Sequence, residues 1–320
     1  MPTEATLGID TSCYTTSLAL ASGGKIIASE RRLLSVSQGE RGLRQSDAVF
    51  QHVRALPELL ETLKTKIEDY NISAVSVSAK PRDALDSYMP VFQTGKSFAE
   101  VIALTCHVPL YYTTHQQGHI RAALYESGMP KGSFIALHLS GGTTQSVLVD
   151  EKLNTVDIGG TNDLNAGQLV DRIGVRLGLE FPAGPQLEAL AENGTANALI
   201  PLSRRGLECS FSGAENGIIR LLEKGVSKQD AAREVYSFLE RSIFHLIAAA
   251  TDSHKINRVL LAGGVASSRL LRQLLEDRVS KRLRGVRLYW AKPELSSDNA
   301  CGVALIGEDK RLEREYGADH

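Results

Sequence analysis

The sequence predicts an α/β protein of two domains, and three observations carry that reading. The 320 residues are enough for two separate cores. One order of elements occurs twice: an apolar strand, a tight Gly/Ser/Thr turn, a second strand, a polar turn and a third strand. After each copy, helical and strand patterns alternate, which layers helices on a sheet.

The first copy runs LGIDTS, TTSLALAS, a Gly-Gly turn and KIIASERRLL, three short strands that form an antiparallel meander. Val49, Val53, Leu56, Leu60, Leu63 and Ile67 then recur at helical spacing, with Pro57 as a point for a kink, before the strand-like AVSVSA at 74–79. The second copy runs FIALHLSG, TTQSVLVD and KLNTVDIGG. Val235, Leu239, Ile243, Leu246 and Ile247 mark a long amphipathic helix, followed by the short buried strand RVLLAGG and another helix. No low-complexity linker separates the halves, so the boundary near residues 110–130 is inferred from the duplication.

Composition bounds the function classes. With 42% hydrophobic and 23% charged residues the chain is of ordinary soluble, globular type. A formal net charge of -1 offers no global attraction to nucleic acid or an anionic membrane, so a polyanionic partner would need a local basic patch or another subunit. Cys13, Cys106, Cys209 and Cys301 lie far apart with no C-x-x-C pair, as expected of free thiols in a reducing compartment. MPTEATLGID has neither a basic start nor an apolar run, and no stretch approaches the roughly 20 apolar residues of a membrane helix. A cytoplasmic location is expected.

Three Gly/Ser/Thr stretches suit a phosphate chain: IDTSCYTT at 9–16, LSGGTTQ at 139–145 and LAGGVASS at 261–268. In the first two, hairpin N–H groups and hydroxyls can point at phosphate oxygens. In the third, glycines open a helix directly after a strand, where the helix N-terminus favours an anion. Each alone could be a tight turn; three in order on a duplicated scaffold favour a nucleotide site. THQQGHI at 114–120 places His115 and His119 one helical turn apart, the spacing at which two imidazoles reach one metal or stand as an ordinary polar pair. A protease of the H-E-x-x-H kind needs a carboxylate base, and Gln116 cannot be one.

These motifs resemble a known family. The order IDTS, SGGTTQ, AGGVASS is similar to the superfamily of actin, sugar kinases and heat-shock chaperone ATPases, with two ribonuclease-H-like domains and a nucleotide in the cleft. Within it, HQQGH, SGGTTQ, DLNAGQLVDRIGVRLGLEFPAGP, SFSG, AGGVASSR and SDNA resemble the TsaD family, also known as glycoproteases, over nearly the full length. The resemblance implies an N-terminal domain over 1–115, with a last helix at about 298–315 packing back on it, and a C-terminal domain over 116–297 with a helical insertion. It implies transfer of a threonylcarbamoyl group from an adenylate donor to the exocyclic amine of a tRNA adenosine. One divalent metal, iron or zinc, would be held by His115, His119 and Asp298, although Asp298 could instead be a helix N-cap. ATP or an acyl-adenylate would be seated by Ser140, Gly141, Gly142, Thr143, Thr144, Gly263, Gly264 and Ser268, with Asp171 and Gly184 at the nucleoside end. TsaB-like and ATPase subunits are the implied partners, and a homodimer stays open.

The chain departs from the family's pattern inside its motifs. Tyr14 and Thr15 replace an acidic pair, Thr143 a histidine, Leu164, Asn165 and Gln168 stand in the run usually read D-D-A-A-G-E, Ser268 replaces an asparagine and Glu215 a lysine. KPRDALDSYMP lacks a Gly-Pro-Gly turn. This pattern suits a divergent paralogue that kept the cleft and metal but altered the chemistry or acceptor. The rival is a non-catalytic nucleotide-binding subunit; a metallopeptidase would need a base that is not found. The basic run Arg272, Lys281, Arg282, Arg284 and Arg287 reads as a solvated helix face before a tRNA patch.

Overall fold

The computed structural model describes residues 3–36, 43–66, 69–84 and 86–316, so Ile67 lies outside the described residues. The chain divides into two compact units, one of residues 1–125 with 297–320 and one of 126–296.

The first unit begins with β1 (Thr3–Thr11), β2 (Thr15–Ser22) and β3 (Lys25–Leu33), the expected meander, and continues through α1 (Gln45–Lys64), β4 (Tyr70–Lys80), α2 (Pro90–Cys106), β5 (Leu110–Thr114) and α3 (His115–Leu124). Its sheet has the order β3-β2-β1-β4-β5, antiparallel on the meander side and parallel from β1 through β4 to β5. α1 runs unbroken through Pro57, and its buried stripe is Ala48, His52, Ala55, Leu56, Leu59 and Leu63. Val53, expected on that stripe, faces solvent.

The second unit repeats the plan. β6 (Phe134–Leu139), β7 (Thr144–Val149) and β8 (Thr155–Thr161) form the second meander, followed by α4 (Ala166–Arg176), α5 (Gly184–Glu192), β9 (Ser203–Arg205), β10 (Glu208–Ser210), α6 (Ser212–Glu223), α7 (Lys228–His254), β11 (Arg258–Ala262), α8 (Arg269–Arg282) and β12 (Arg287–Trp290). The sheet order β12-β11-β6-β7-β8-β10-β9 is the first sheet's order with a hairpin added at one edge. Val235, Leu239, Ile243, Leu246 and Ile247 are buried on α7 as their spacing predicts. Of the basic run, Arg272, Lys281 and Arg282 lie on α8, while Arg284 and Arg287 lie beyond its end; the positive φ of Gly285 turns the chain there into β12.

The last helix, α9 (Cys301–Tyr316), returns to the first unit. Strand alternation explains how it docks. Leu7 and Ile9 point from β1 into the core built with α1 and α2. Thr6 and Gly8 point to the opposite face, where a Cβ on Gly8 would come within 2.4 Å of the Ala304 nitrogen and Thr6 Oγ1 donates to Glu308 at 2.7 Å. α9 therefore packs directly on the strand backbone. The division differs from the expected 115/116 boundary: α3 packs on α9 and stays with the first unit, which carries His119 with it. Among the described residues, no helix is long and apolar enough to cross a membrane.

Candidate metal centre

α3 begins where β5 ends, and a capping box sets the place. Thr114 Oγ1 accepts from the Gln117 backbone N–H at 3.1 Å, and Gln117 Oε1 accepts from the Thr114 N–H at 3.1 Å. His115 thus becomes the first residue of the helix, with His119 one turn on. Their Nε2 atoms are 3.0 Å apart and their rings meet edge to face. Asp298 arrives from the other end of the sequence, 3.1 Å from His119 Nε2 and 3.6 Å from His115 Nε2 through Oδ1. It is not the cap of α9: Asn299 Oδ1 accepts from the Cys301 N–H at 2.9 Å, which leaves Asp298 to face the histidines.

A second ring of contacts surrounds the three. Asp10, fully buried at the end of β1, accepts from His115 Nδ1 at 2.9 Å and from the Ser78 hydroxyl. Ser12 Oγ donates to Asp298 Oδ2 at 2.9 Å. Ser12 is itself held by buried His52, whose Nε2 donates to the Ser12 carbonyl at 2.9 Å while Nδ1 accepts from Thr16 Oγ1 at 2.7 Å. Phe92 closes one side of the His115 ring. Asp10 and Ser12 lie in the IDTSCYTT stretch expected at a phosphate, not at the metal, and His52 and Ser78 were not marked as site residues from the sequence. Strand alternation after the buried Thr6 and Gly8 could have placed Asp10; nothing local marks His52.

The electrostatics follow from these contacts. Burial pulls the His115 pKa down, but the Asp10 charge and hydrogen bond, with Asp298 behind them, raise it to about 9. Burial pushes Asp298 up, yet the His119 hydrogen bond, both histidine charges and the Ser12 hydroxyl hold it well below the carboxylate range. Burial holds His52 below the ordinary histidine value, against the Ser12 hydrogen bond and Asp10.

The donor set fits a cation. One atom each of His115, His119 and Asp298 lie within 4.8 Å of one another, forming the one such group among the described residues. Nitrogen and oxygen ligands stand about 2.0–2.2 Å from zinc, and atoms 3.0–3.6 Å apart can all reach one ion at that distance. Two imidazoles and a carboxylate suit zinc and iron alike.

The second unit carries the other expected residues. Ser140 to Thr143 form the turn from β6 to β7: the Ser140 N–H donates to the Thr143 carbonyl at 2.8 Å, and the Thr143 N–H donates to Ser140 Oγ at 3.0 Å. Thr144 Oγ1 accepts from the Ala166 N–H at 2.7 Å and so ties the turn to the start of α4. Gly167 packs there so closely that a Cβ would lie 2.6 Å from the Gly141 nitrogen. Gly263, with φ +98°, backs onto the Leu139 carbonyl. Gly141, Gly142 and Gly264 are exposed, and a Cβ added to any of them would meet nothing within 4 Å. The helix expected straight after the glycines starts later: a 3-10 turn spans Val265–Ser267, and Ser268 caps α8 by accepting from the Leu271 N–H at 3.1 Å. Asp171 Oδ1 accepts from the Ala183 N–H at 2.9 Å, which places it beside Gly184. Tyr236, overlooked in the sequence, donates to the Gly184 carbonyl at 3.3 Å; burial, then the Glu188 charge, raises its phenol pKa. Glu215, in place of the family lysine, pairs with Arg172 at 3.1 Å.

The family model for TsaD, tRNA N6-adenosine threonylcarbamoyltransferase, matches residues 35–305. The chain belongs to the TsaD family. Its relatives are named as transferase enzymes: a tRNA N6-adenosine threonylcarbamoyltransferase of Thermus thermophilus is 33% identical, covering 93% of this chain and 90% of the relative. One of Riemerella anatipestifer is 28% identical, covering 97% and 94%. Among solved structures, full-length HypF in the phosphate- and nucleotide-bound form superposes with a TM-score of 0.63 at 14% identity, over 98% of this chain and 47% of HypF. The activator of the 2-hydroxyisocaproyl-CoA dehydratase from Clostridium difficile with bound ADPNP gives 0.55 at 17% identity, over 98% and 97%. A ROK family glucokinase from Streptomyces griseus gives 0.56 at 13%, over 95% and 99%. These likenesses show that this TsaD family member shares its fold with HypF, the dehydratase activator and the glucokinase.

Proposed function

We propose that this chain is a metal-dependent transferase of TsaD type, moving a threonylcarbamoyl or related carbamoyl group from an adenylate donor to the exocyclic amine of a tRNA adenosine. The observation that carries the reading is the convergence of His115, His119 and Asp298, with atoms within 4.8 Å of one another, in a chain that belongs to the TsaD family. The carboxylate comes from a segment 179 residues beyond His119, and such convergence of donor atoms is what a cation site requires.

In the reaction, the acceptor nitrogen bonds to the carbamoyl carbonyl carbon, and the bond from that carbon to the adenylate phosphate oxygen breaks. AMP leaves with the bonding electron pair, and the amine gives up one proton to solvent. His115, His119 and Asp298 would hold the zinc or iron, which would supply Lewis-acid charge for oxygens that gain negative charge. The open backbone at Gly141, Gly142 and Gly264 suits phosphate oxygens, and Asp171 retains Oδ2 to accept from a ribose hydroxyl while Oδ1 holds the Ala183 N–H. Work alongside TsaB-like and ATPase subunits, or as a homodimer, belongs to the same reading.

The test combines metal analysis with transfer. Purified protein should carry about one zinc or iron per chain, with His115→Ala binding it measurably but far more weakly and purifying with much lower occupancy. With threonylcarbamoyl-adenylate and unmodified tRNA, nucleoside mass spectrometry should find the modified adenosine for the wild type and none for the variant. A metal-loaded wild type that binds nucleotide yet modifies no tRNA, with or without TsaB-like and ATPase subunits, would replace this reading by the non-catalytic one. Glu215 beside Arg172 favours that rival most directly, since it removes the cation the family usually has there.

A further inference from the structure

We infer that Asp10 is a positioning residue of the metal site, fixing the ring and tautomer of His115 so that Nε2 keeps its lone pair for a cation. The inference rests on the metal-binding reading above. Asp10 is completely buried, and both hydrogen bonds to its carboxylate converge on Oδ1, from His115 Nδ1 at 2.9 Å and from the Ser78 hydroxyl. Its other oxygen is buried with no hydrogen-bond partner among the described residues. A carboxylate held this way is costly to fold around, because one oxygen gives up water for nothing in return. Its neighbours on the same face, Thr6 and Gly8, serve the packing of α9, whereas Asp10 is turned to the imidazole.

The geometry has a chemical consequence. A hydrogen on Nδ1, donated to Asp10, leaves Nε2 unprotonated in the neutral ring, and Nε2 is the atom that faces His119 Nε2 at 3.0 Å and Asp298 Oδ1 at 3.6 Å. The same hydrogen bond stops the ring from turning and raises the electron density of the ligand nitrogen. Asp10 is 105 positions from His115, and Ser78 on the neighbouring parallel strand β4 keeps the carboxylate oriented from the side.

Zinc affinity, measured by competition with a chromophoric chelator, tests the inference, with the Co2+ absorption spectrum as a second readout. Asp10→Ala should weaken zinc binding about 10- to 100-fold, the cost usual for removing an outer partner of a histidine ligand. Asp10→Asn, whose amide oxygen can still accept both bonds, should lose about tenfold at most and shift the Co2+ bands less. In a His115→Ala background, Asp10→Ala should have no further effect, because its influence passes through the imidazole. Wild-type affinity in Asp10→Ala, or an equal loss with and without His115, would overturn the assignment. If Asp10→Ala does not fold, Asp10→Asn and Ser78→Ala decide the matter by the same comparison. A wild type that binds no zinc would bring down the metal reading and the inference together; a wild type that binds zinc regardless of Asp10 would sink the inference alone.

Discussion

Gly302 near the start of α9 sets the distance between that helix and α3, so Gly302→Ala should damage stability and metal binding together. A Cβ there would lie 1.8 Å from the Gly118 carbonyl oxygen and 2.7 Å from the Ala122 nitrogen. Both atoms are helix backbone, so no side chain can swing away. Normal carbon–oxygen contact requires the helices to part by about 1 Å or more, in an interior with little free volume. The substitution gains about 1 kcal/mol from helix propensity. Overpacking costs about 1–3 kcal/mol and sometimes more, and against backbone the upper end applies. A net loss of about 1–2 kcal/mol should appear in urea titration and lower the melting midpoint by about 2–4 °C per kcal/mol. The same parting separates His119 from Asp298, now 3.1 Å apart, where metal sites tolerate errors of about 0.2 Å, so zinc affinity should fall by about tenfold or more. Gly213→Ala in α6 is the control, since a Cβ there meets nothing within 4 Å. Gly302→Ala with wild-type stability and wild-type zinc affinity would refute this account of the helix crossing.

Gly263→Ala should destabilise the second unit by more than about 1 kcal/mol, because φ is +98° and the Cβ would lie 2.4 Å from the Leu139 carbonyl, while Gly141→Ala should leave stability within about 0.5 kcal/mol of wild type and weaken adenylate binding measured by calorimetry. Arg311 lies among Glu308, Glu4 and Glu315 at 2.8–3.2 Å, and Arg311→Ala should cost about 3–5 kcal/mol in urea titration by leaving buried Glu308 without its cation. Burial acts to raise the Asp163 pKa, but the Ser212 hydrogen bond and the backbone N–H groups of Phe211, Leu164 and Ser212 outweigh it and lower the value. Its stabilising share is therefore present above the unfolded carboxylate pKa of about 3.9 and is lost as pH falls through the lower folded value. Asp163→Asn should flatten the acid side of the stability curve and leave its slope above pH 5 unchanged.

Much of the fold was legible in the sequence because period-2 alternation and turn residues are local signals. The meander of β1 to β3, its repeat in β6 to β8, and the buried stripe of α7 all follow from side-chain spacing along single elements. Val53 shows the limit: α1 has two apolar stripes, and only the position of the sheet decides which one is buried. The candidate ligands were legible because His115 and His119 share a helix, whereas Asp298 was reached through resemblance.

What the sequence alone determined about this protein was its duplicated α/β plan, the residue types able to hold a cation, and the glycine turns able to face a phosphate. Tertiary structure decided which polar groups are left to do so. Asn299 takes the capping role and leaves Asp298 to the histidines, while the Ser268 hydroxyl, expected at the nucleotide, also accepts from the Leu271 N–H at the start of α8. Asp10 meets His115 only because the parallel pairing of β1, β4 and β5 brings their strand ends together on the face that α9 covers. Spacing along the chain records which atoms a residue offers, but a hydrogen bond is fixed within a few tenths of an ångström by neighbours from distant segments.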